Sequence, residues 1–414
     1  MTLRASHRTP RCRLCAWEPL DLVLPLPATP VGDDYRLESQ LAAAEPAFPL
    51  DLHLCPRCGL AQLVEVVEPE ILYKNFIYRT AISLGLPEHF RQYAAETLAR
   101  SGAGAGALAV DIGSNDGTLL RAFQDLGLRA LGIEPAEAIA AGARAAGTET
   151  LTRYFSAELA RQLRAERGPA AIVTINNTIA NLDDLDDVVS GIAGLLAADG
   201  LGVLETGYLL GLLENGLFDN IYHEHLTYFA LKPLLPFMAR HGLQVVDAQR
   251  LASKGGSIRV FFQKAGGPRP VAPQVETILQ AEALAGLHAR EGFTRLDQRL
   301  EAATTALLGR LEQARAEGKR VAGYGASVGT TTFLHRFRAG GYLEFIADDN
   351  PDKHGRFSPG YHLPVLPSSA LYSEKPDYVL ILAWRYAQPI MQRHRAYQEQ
   401  GGRFLHAWPE GGLA

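Results

Sequence analysis

The stretch Ala107-Leu-Ala-Val-Asp-Ile-Gly-Ser-Asn-Asp-Gly-Thr-Leu-Leu120 limits the fold more than any other part of the chain. An apolar run, a polar turn holding two glycines and a fresh apolar start read as a buried strand entering a helix through a tight turn. A strand of that kind belongs in a parallel sheet covered on both faces, so a doubly wound α/β domain is expected. Gly113 and Gly117 do not form the Gly-x-Gly-x-x-Gly arrangement that brings backbone against a pyrophosphate. A ligand without phosphates at this point can be held by a looser turn and by polar side chains, here Asp111, Asn115 and Asp116.

The next apolar run, residues 128–135, contains Glu134 about 20 residues past the turn, where doubly wound folds place an acid that accepts hydrogen bonds from a ribose diol. Strands are expected over 171–177 and 201–206 with a helix over 185–198 between them, and the amides of Asn176 and Asn177 fall at a strand's carboxyl end. After a helix over 231–241 come strands over 243–249 and 257–263, joined through the turn Lys254-Gly-Gly256. Together the Asp-x-Gly-x-x-x-Gly turn, Glu134 and the closing antiparallel hairpin resemble a class I methyltransferase with its S-adenosylmethionine site. The cofactor residues implied are Asp111, Gly113, Asn115, Gly117, Glu134 and Asn177.

All four cysteines lie in two pairs of one form, Cys12-Arg-Leu-Cys15 and Cys55-Pro-Arg-Cys58. Two such knuckles supply the four thiolates of a closed structural zinc site. Two disulfides would use the same count but are disfavoured in a reducing cytosol, and His7 and His53 stand near enough in sequence to replace a ligand. Pro25, Pro27 and Pro30 make the intervening segment irregular, with short strands. The module is expected to hold residues 71–83 against the next domain; there Tyr73, Phe76 and Tyr78 either line a site or pack.

A second concentration of chemistry is Asp219-Asn-Ile-Tyr-His-Glu-His-Leu-Thr-Tyr228. With the paired cysteine knuckles before it and the Gly-Gly hairpin after it, the chain resembles the sugar C-methyltransferase family, whose members methylate a carbon of a deoxyketosugar carried on a nucleoside diphosphate. The resemblance implies that His225 removes the acidic proton beside the ketone while Tyr222 and Glu224 polarise the carbonyl or orient the ring. The chemistry agrees, because carbon methylation needs a base and an enolate-stabilising donor at one ketone. His223 is the weaker base candidate, and a metal site at His223-Glu-His225 lacks an evident third ligand. Phe76, Asn181, Lys254 and Gly329 stand where relatives usually carry tyrosine, histidine, histidine and lysine, and a buried Lys254 would serve as an enolate-stabilising cation. Tyr78, Tyr208 and Lys254 are the substrate candidates in this half of the chain.

Residues 273–319 have helical spacing and lead to a second strand–turn–helix unit, Arg320-Val-Ala-Gly-Tyr-Gly-Ala-Ser-Val-Gly-Thr-Thr-Thr332. In the family this second domain binds the nucleotide half of the substrate, which makes Ser327, Thr330 and Thr331 candidates for the diphosphate; a purely structural domain is the alternative. The expected domains are 1–70 (zinc module), 71–268 (methyltransferase), 269–318 (helical linker) and 319–414 (C-terminal α/β domain). Charge −5 with no basic block argues against nucleic acid, and the lack of a long uncharged apolar run argues against a membrane span, so a cytoplasmic enzyme with a small-molecule substrate is expected. The competing readings are a methyltransferase acting on another carbon acid or a heteroatom, and a protein that binds the cofactor or a nucleotide sugar without turnover.

Overall fold

The computed structural model describes residues 5–72, 85–408 and 412–413. The N-terminal module contains β1 (Ser6–Arg8), β2 (Asp21–Leu24), β3 (Leu52–Leu54), β4 (Ala61–Leu63) and β5 (Glu65–Val67). Its two knuckles fold alike. The N–H of Cys12 donates to Trp17 O and that of Cys55 to Leu60 O, while Ala16 and Gly59 take positive φ at equivalent positions. Gly59 is required there, since a Cβ would stand 2.6 Å from the His288 ring.

The central domain supplies β6 (Leu108–Ile112), β7 (Arg129–Ile133), β8 (Glu149–Leu151), β9 (Ala170–Asn176), β10 (Leu196–Gly207), β11 (Thr227–Tyr228), β12 (Leu243–Leu251) and β13 (Ser257–Lys264). Seven of these form a sheet in the order β12-β13-β10-β9-β6-β7-β8, parallel except for β13, which runs antiparallel to both neighbours. Every residue of β6 is buried, as expected of a strand covered on both faces. The helix expected over 185–198 ends at Leu195, because Leu196 is already extended and opens β10.

Two linker helices, Pro273–Leu284 and Arg290–Ala316, lead to the C-terminal domain; the second buries Phe293, Leu296, Leu300, Leu307 and Leu311 along one face. There β14 (Val321–Tyr324), β15 (Ile346–Asp348), β16 (Val365–Pro367), β17 (Tyr378–Ile381), β18 (Arg403–His406) and β19 (Gly412–Leu413) make a sheet in the order β16-β15-β14-β17-β18-β19. The strand order reverses between β14 and β17, so the ligand-binding crevice of such a sheet lies beyond the carboxyl ends of that pair. No helix among the described residues is long and apolar enough to cross a membrane.

One strand pairing crosses a domain boundary. β11 extends the module's sheet by pairing antiparallel with β4, in the order β11-β4-β3-β2. The module therefore grips the chain immediately after His225; of the segment it was expected to hold, 73–84 lie outside the described residues. Arg13, inside the first knuckle, braces this joint. Its buried guanidinium donates to Leu63 O at 2.6 Å, to Leu226 O at 3.5 Å and to Asp183 Oδ1 at 2.9 Å. Arg13→Met removes these donors from a dry joint, and denaturant unfolding is expected to show a loss of about 2–4 kcal/mol. Asp183→Asn, at a carboxylate whose side chain is 36% exposed, should cost about 1 kcal/mol or less.

Candidate active site

The segment holding the clustered histidines leaves the helix Leu209–Asn215 through Gly216 and a 3-10 turn, Phe218–Asn220. Gly216 has φ 64° and no room for a side chain, since the Trp408 ring would lie 2.4 Å from its Cβ; Trp408 Nε1 donates to Gly216 O. Beyond it, Tyr222 Oη lies 2.9 Å from His225 Nε2, and His225 Nδ1 lies 3.1 Å from Asn220 O. A carbonyl can only accept, so Nδ1 carries the ring proton and Nε2 presents a lone pair to the Tyr222 hydroxyl. Burial first, opposed by the Asn220 carbonyl and reinforced by the cation of Lys254, holds the His225 imidazole down at about 4, so it is neutral at pH 7. Burial raises the Tyr222 phenol well above its usual range, which keeps it a hydrogen-bond donor.

His223 points elsewhere. Its Nε2–H donates to Phe48 O at 3.2 Å, its ring meets Phe48 edge-on and it is 1% exposed, so it fastens this segment to the cysteine module. Glu224, between these histidines, is pushed up to about 7, first by withdrawal from water and then by the carboxylate of Asp33, against the opposing charge of Lys353. Lys353 belongs to the C-terminal domain and Asp33 to the cysteine module, and they meet at 2.7 Å over the ring of Tyr35. Neither they nor Tyr35 carry a local sequence signal; only the tertiary fold brings them beside Glu224. Lys254, at φ 51°, is solvent-accessible rather than buried, although the surrounding protein lowers its pKa against the pull of Glu205. Its charge acts on His225.

Other expected substrate contacts are distributed differently. Tyr208 is 2% exposed and donates to Glu282 Oε1 of the linker at 3.0 Å, while the same carboxylate receives the N–H groups of Leu231 and Lys232. That hydroxyl is spent on joining elements. Thr330 donates to Gly325 O and Thr331 to Gly32 O, while Ser327 lies against Thr330 in a capping box at the start of the helix Val328–Arg336. These groups anchor the helix and tie it to the cysteine module. Thr332, which the sequence did not single out, donates to Ile221 O at 2.8 Å and so reaches the histidine segment itself. Tyr78 lies outside the described residues.

The expected cofactor residues converge at the carboxyl ends of β6, β7 and β9. Asp111 accepts from Thr174 at 2.6 Å, and burial raises its carboxyl to about 7. Glu134 receives the N–H groups of Asn115 and Ala136, one on each oxygen, leaving each oxygen acceptor capacity toward a diol. Gly113 and Gly117 have φ 72° and 75°, and their Cβ positions fall 2.1 Å from Thr178 and 2.5 Å from Thr148. Asn115 and Asn177 also take positive φ. Ser114 Oγ and Asn176 Oδ1 are buried without a hydrogen-bond partner among the described residues, so the crevice keeps polar atoms in reserve for a ligand rich in hydroxyls and amines, as adenosine and methionine are.

The four cysteine sulfurs lie within 4.8 Å of one another, with Cys12 to Cys58 and Cys15 to Cys55 each at 3.5 Å. Tetrahedral zinc with bonds of about 2.3 Å would set its sulfurs roughly 3.8 Å apart, so four free thiols already stand in the right arrangement. His7 bonds Glu68 and Asp183, and His53 bonds Asp51 O. Neither belongs to the four-ligand cluster.

Comparison with known proteins gives three family models in chain order: a zinc binding domain over 12–73, a methyltransferase domain over 87–248 and a C-methyltransferase C-terminal domain over 252–409. C-methyltransferase NovU of Streptomyces niveus is 33% identical over 400 residues, covering 96% of this chain and 95% of that protein. Among solved structures, magnesium protoporphyrin IX methyltransferase from Synechocystis PCC 6803 with bound SAH matches 47% of this chain and 91% of its own at 15% identity and a TM-score of 0.37. The CcbJ methyltransferase from Streptomyces caelestis matches 47% of this chain and 95% of its own at 15% identity and a TM-score of 0.35.

Protein purified without chelator is expected to carry about one zinc per chain by elemental analysis, and Cys55→Ser to lose both the metal and several degrees of melting temperature.

Proposed function

The chain belongs to the C-methyltransferase family that its sequence resembles and depends on S-adenosylmethionine, and from that premise we propose that it methylates the carbon beside the ketone of a nucleotide-linked deoxysugar. The observation that carries this reading is the Tyr222–His225 pair, a neutral imidazole whose tautomer is set by Asn220 O and whose Nε2 lone pair accepts the Tyr222 hydroxyl. Such a pair suits a carbon acid. In our reading the C–H bond breaks, its electron pair becomes the enolate, and the proton passes to His225 Nε2. For this the Tyr222 hydroxyl swings off Nε2 to the substrate oxygen, where it and a protonated Glu224 donate to the developing oxyanion, and the charge of Lys254 stabilises it further. When bound, S-adenosylmethionine supplies the methyl group as an electrophile and leaves as S-adenosylhomocysteine. Asp111, Glu134 and Asn177 would hold it, with Asn115 and the two turn glycines shaping the crevice.

A base of pKa about 4 and a neutral acid of pKa about 7 give a signed pH profile. The imidazole must be unprotonated, so kcat/KM rises with pH through about 4; Glu224 must be protonated, so it falls again above about 7. Glu224→Gln, which keeps a donor that does not titrate, is expected to flatten the alkaline limb in steady-state assays across pH. In deuterium oxide, exchange of the substrate's α-proton should slow at least about 100-fold in His225→Ala. Undiminished exchange would mean that another group is the base.

A further inference from the structure

Glu224 sits where three parts of the chain meet, and the segment around it is tied to the loop 29–35 of the cysteine module by two routes. On one side its neighbour His223 donates to Phe48 O, and Phe48 exchanges both backbone hydrogen bonds with Thr29, at 2.8 and 3.0 Å. On the other side Thr332 donates to Ile221 O, while Thr331 of the same helix donates to Gly32 O at 3.0 Å. Asp33 follows Gly32 directly. The loop and the histidine segment are thus bound once through Phe48 and once through the helix Val328–Arg336, which brings the Asp33 carboxylate to Glu224 from the far end of the chain.

Lys353 closes the cluster from the C-terminal domain. Its Nζ lies 2.7 Å from both Asp33 Oδ1 and Ala326 O and 4.4 Å from the centre of the Tyr35 ring, whose hydroxyl donates to Ser327 O at 3.2 Å. The lysine side chain is 10% exposed and the aspartate 34%, so solvent screens this pair far less than it screens an ion pair on the open surface. The other charged or titratable groups at the junction are Tyr222, His223 and His225 on Glu224's own segment, Asp348, which accepts from Ala326 N and acts on Tyr35, and Arg385, whose charge reaches Tyr222. Burial favours the neutral form of Glu224 most, Asp33 adds to that effect and Lys353 opposes it.

We propose that Asp33 and Lys353 are positioning residues that act through Glu224, their opposed charges setting the pH at which its carboxyl ceases to be a hydrogen-bond donor. The proposal rests on the reading of Glu224 as the neutral acid of the reaction. It makes the alkaline limit of that acid a property of the assembled domains, since one charge comes from the cysteine module and the other from the C-terminal domain.

The first measurement needs no substrate. In full-length protein carrying 13C at the glutamate side-chain carboxyls, with the resonance of Glu224 assigned through Glu224→Gln, its titration midpoint is followed by NMR. Asp33→Asn removes the charge that opposes ionisation and leaves Lys353 unbalanced, so the midpoint is expected to fall by about 0.5–1 pH unit. Lys353→Met does the reverse and should raise it by about as much, with Lys353→Gln giving the same sign should methionine not be tolerated. Lys353→Arg keeps the charge and should stay near wild type, and the double variant Asp33→Asn/Lys353→Met should return toward it. Loss of a purely structural contact would move the two single variants the same way or not at all, and either result overturns the proposal. The second measurement is kcat/KM across pH with a methylatable sugar nucleotide. Its alkaline limb should follow the carboxyl in each variant, while the acid limb at about 4, which belongs to His225, stays in place. An alkaline limb that stays fixed while the carboxyl moves would leave the proposal standing and overturn the reading of Glu224 as the acid.

Discussion

The pairing of β11 with β4 is the constraint on which the site depends. Three positions before Thr227 stands Glu224, and two before it His225, so the register of Thr227 against Gln62 sets where the proposed base and its neighbour stand. The residue between, Leu226, is bound at both ends: its N–H donates to Ala180 O at 2.7 Å and its carbonyl accepts from Leu63 N at 2.9 Å. One bond reaches into the central sheet's 3-10 turn and the other into the cysteine module. A closed four-cysteine site, having no open coordination position for a substrate, then makes physical sense as the rigid end of a brace that runs through Arg13 and β4 to the catalytic segment.

That segment cannot hold its shape alone. Ordering the backbone of nine residues, 218–226, costs on the order of 9–18 kcal/mol. Six hydrogen bonds to neighbouring elements, from or to Asp219, Ile221, His223 and Leu226, return about 1 kcal/mol each. Burying Phe218, Ile221 and Leu226 returns about 5–9 kcal/mol more. The two sides are of similar size, so neither the hydrogen bonds nor the packing alone would order it. The C-terminal domain supplies much of both, through Trp384, Thr332 and the rings of Phe333 and Phe337 against Phe218. Its contribution to catalysis therefore begins before any substrate arrives.

What could be read from the sequence were features whose cause is local. The glycine turn after β6 is one: positive φ at Gly113 and Gly117 is a backbone demand that only glycine meets cheaply, and it shows in the sequence. The cysteine knuckles and the closing hairpin are others. Features caused by distant contacts were invisible or misread. Asp33, Tyr35 and Lys353 come from opposite ends of the chain and have no periodicity to betray them. A serine and two threonines at a helix start look the same whether they serve phosphate or cap the helix; Thr330 and Thr331 are taken by Gly325 O and Gly32 O, which spacing cannot reveal. Tyr208 likewise looks like a site tyrosine until Glu282, 74 positions later, claims its hydroxyl. The boundary of β10 was missed because residues 196–200 pair irregularly, with a register shift between Leu196 and Leu201.

Two of the positions singled out in the sequence, Lys254 and Gly329, acquire an explanation in this geometry. Position 329 faces the backbone of Asp219 so closely that a side chain could enter only by pushing the catalytic segment away from the C-terminal helix. Glycine there permits the contact, and the contact helps to seat the segment that bears His225. A lysine's charge is then absent from the helix start, while Lys254 and Arg385, on loops that meet where Arg385 Nη1 lies 3.5 Å from Lys254 O, act on His225 and on Tyr222 respectively. These two loops bring positive charge to the surroundings of the Tyr222–His225 pair. Burial first, and then the charge of Lys254, disfavours protonation of His225, and cations placed here would favour the enolate of the proposed reaction. In the proposed reaction the base is weakened at rest chiefly by burial while the nearby charges would stabilise its anionic product, so the arrangement lowers the barrier only if the anion forms within reach of both loops.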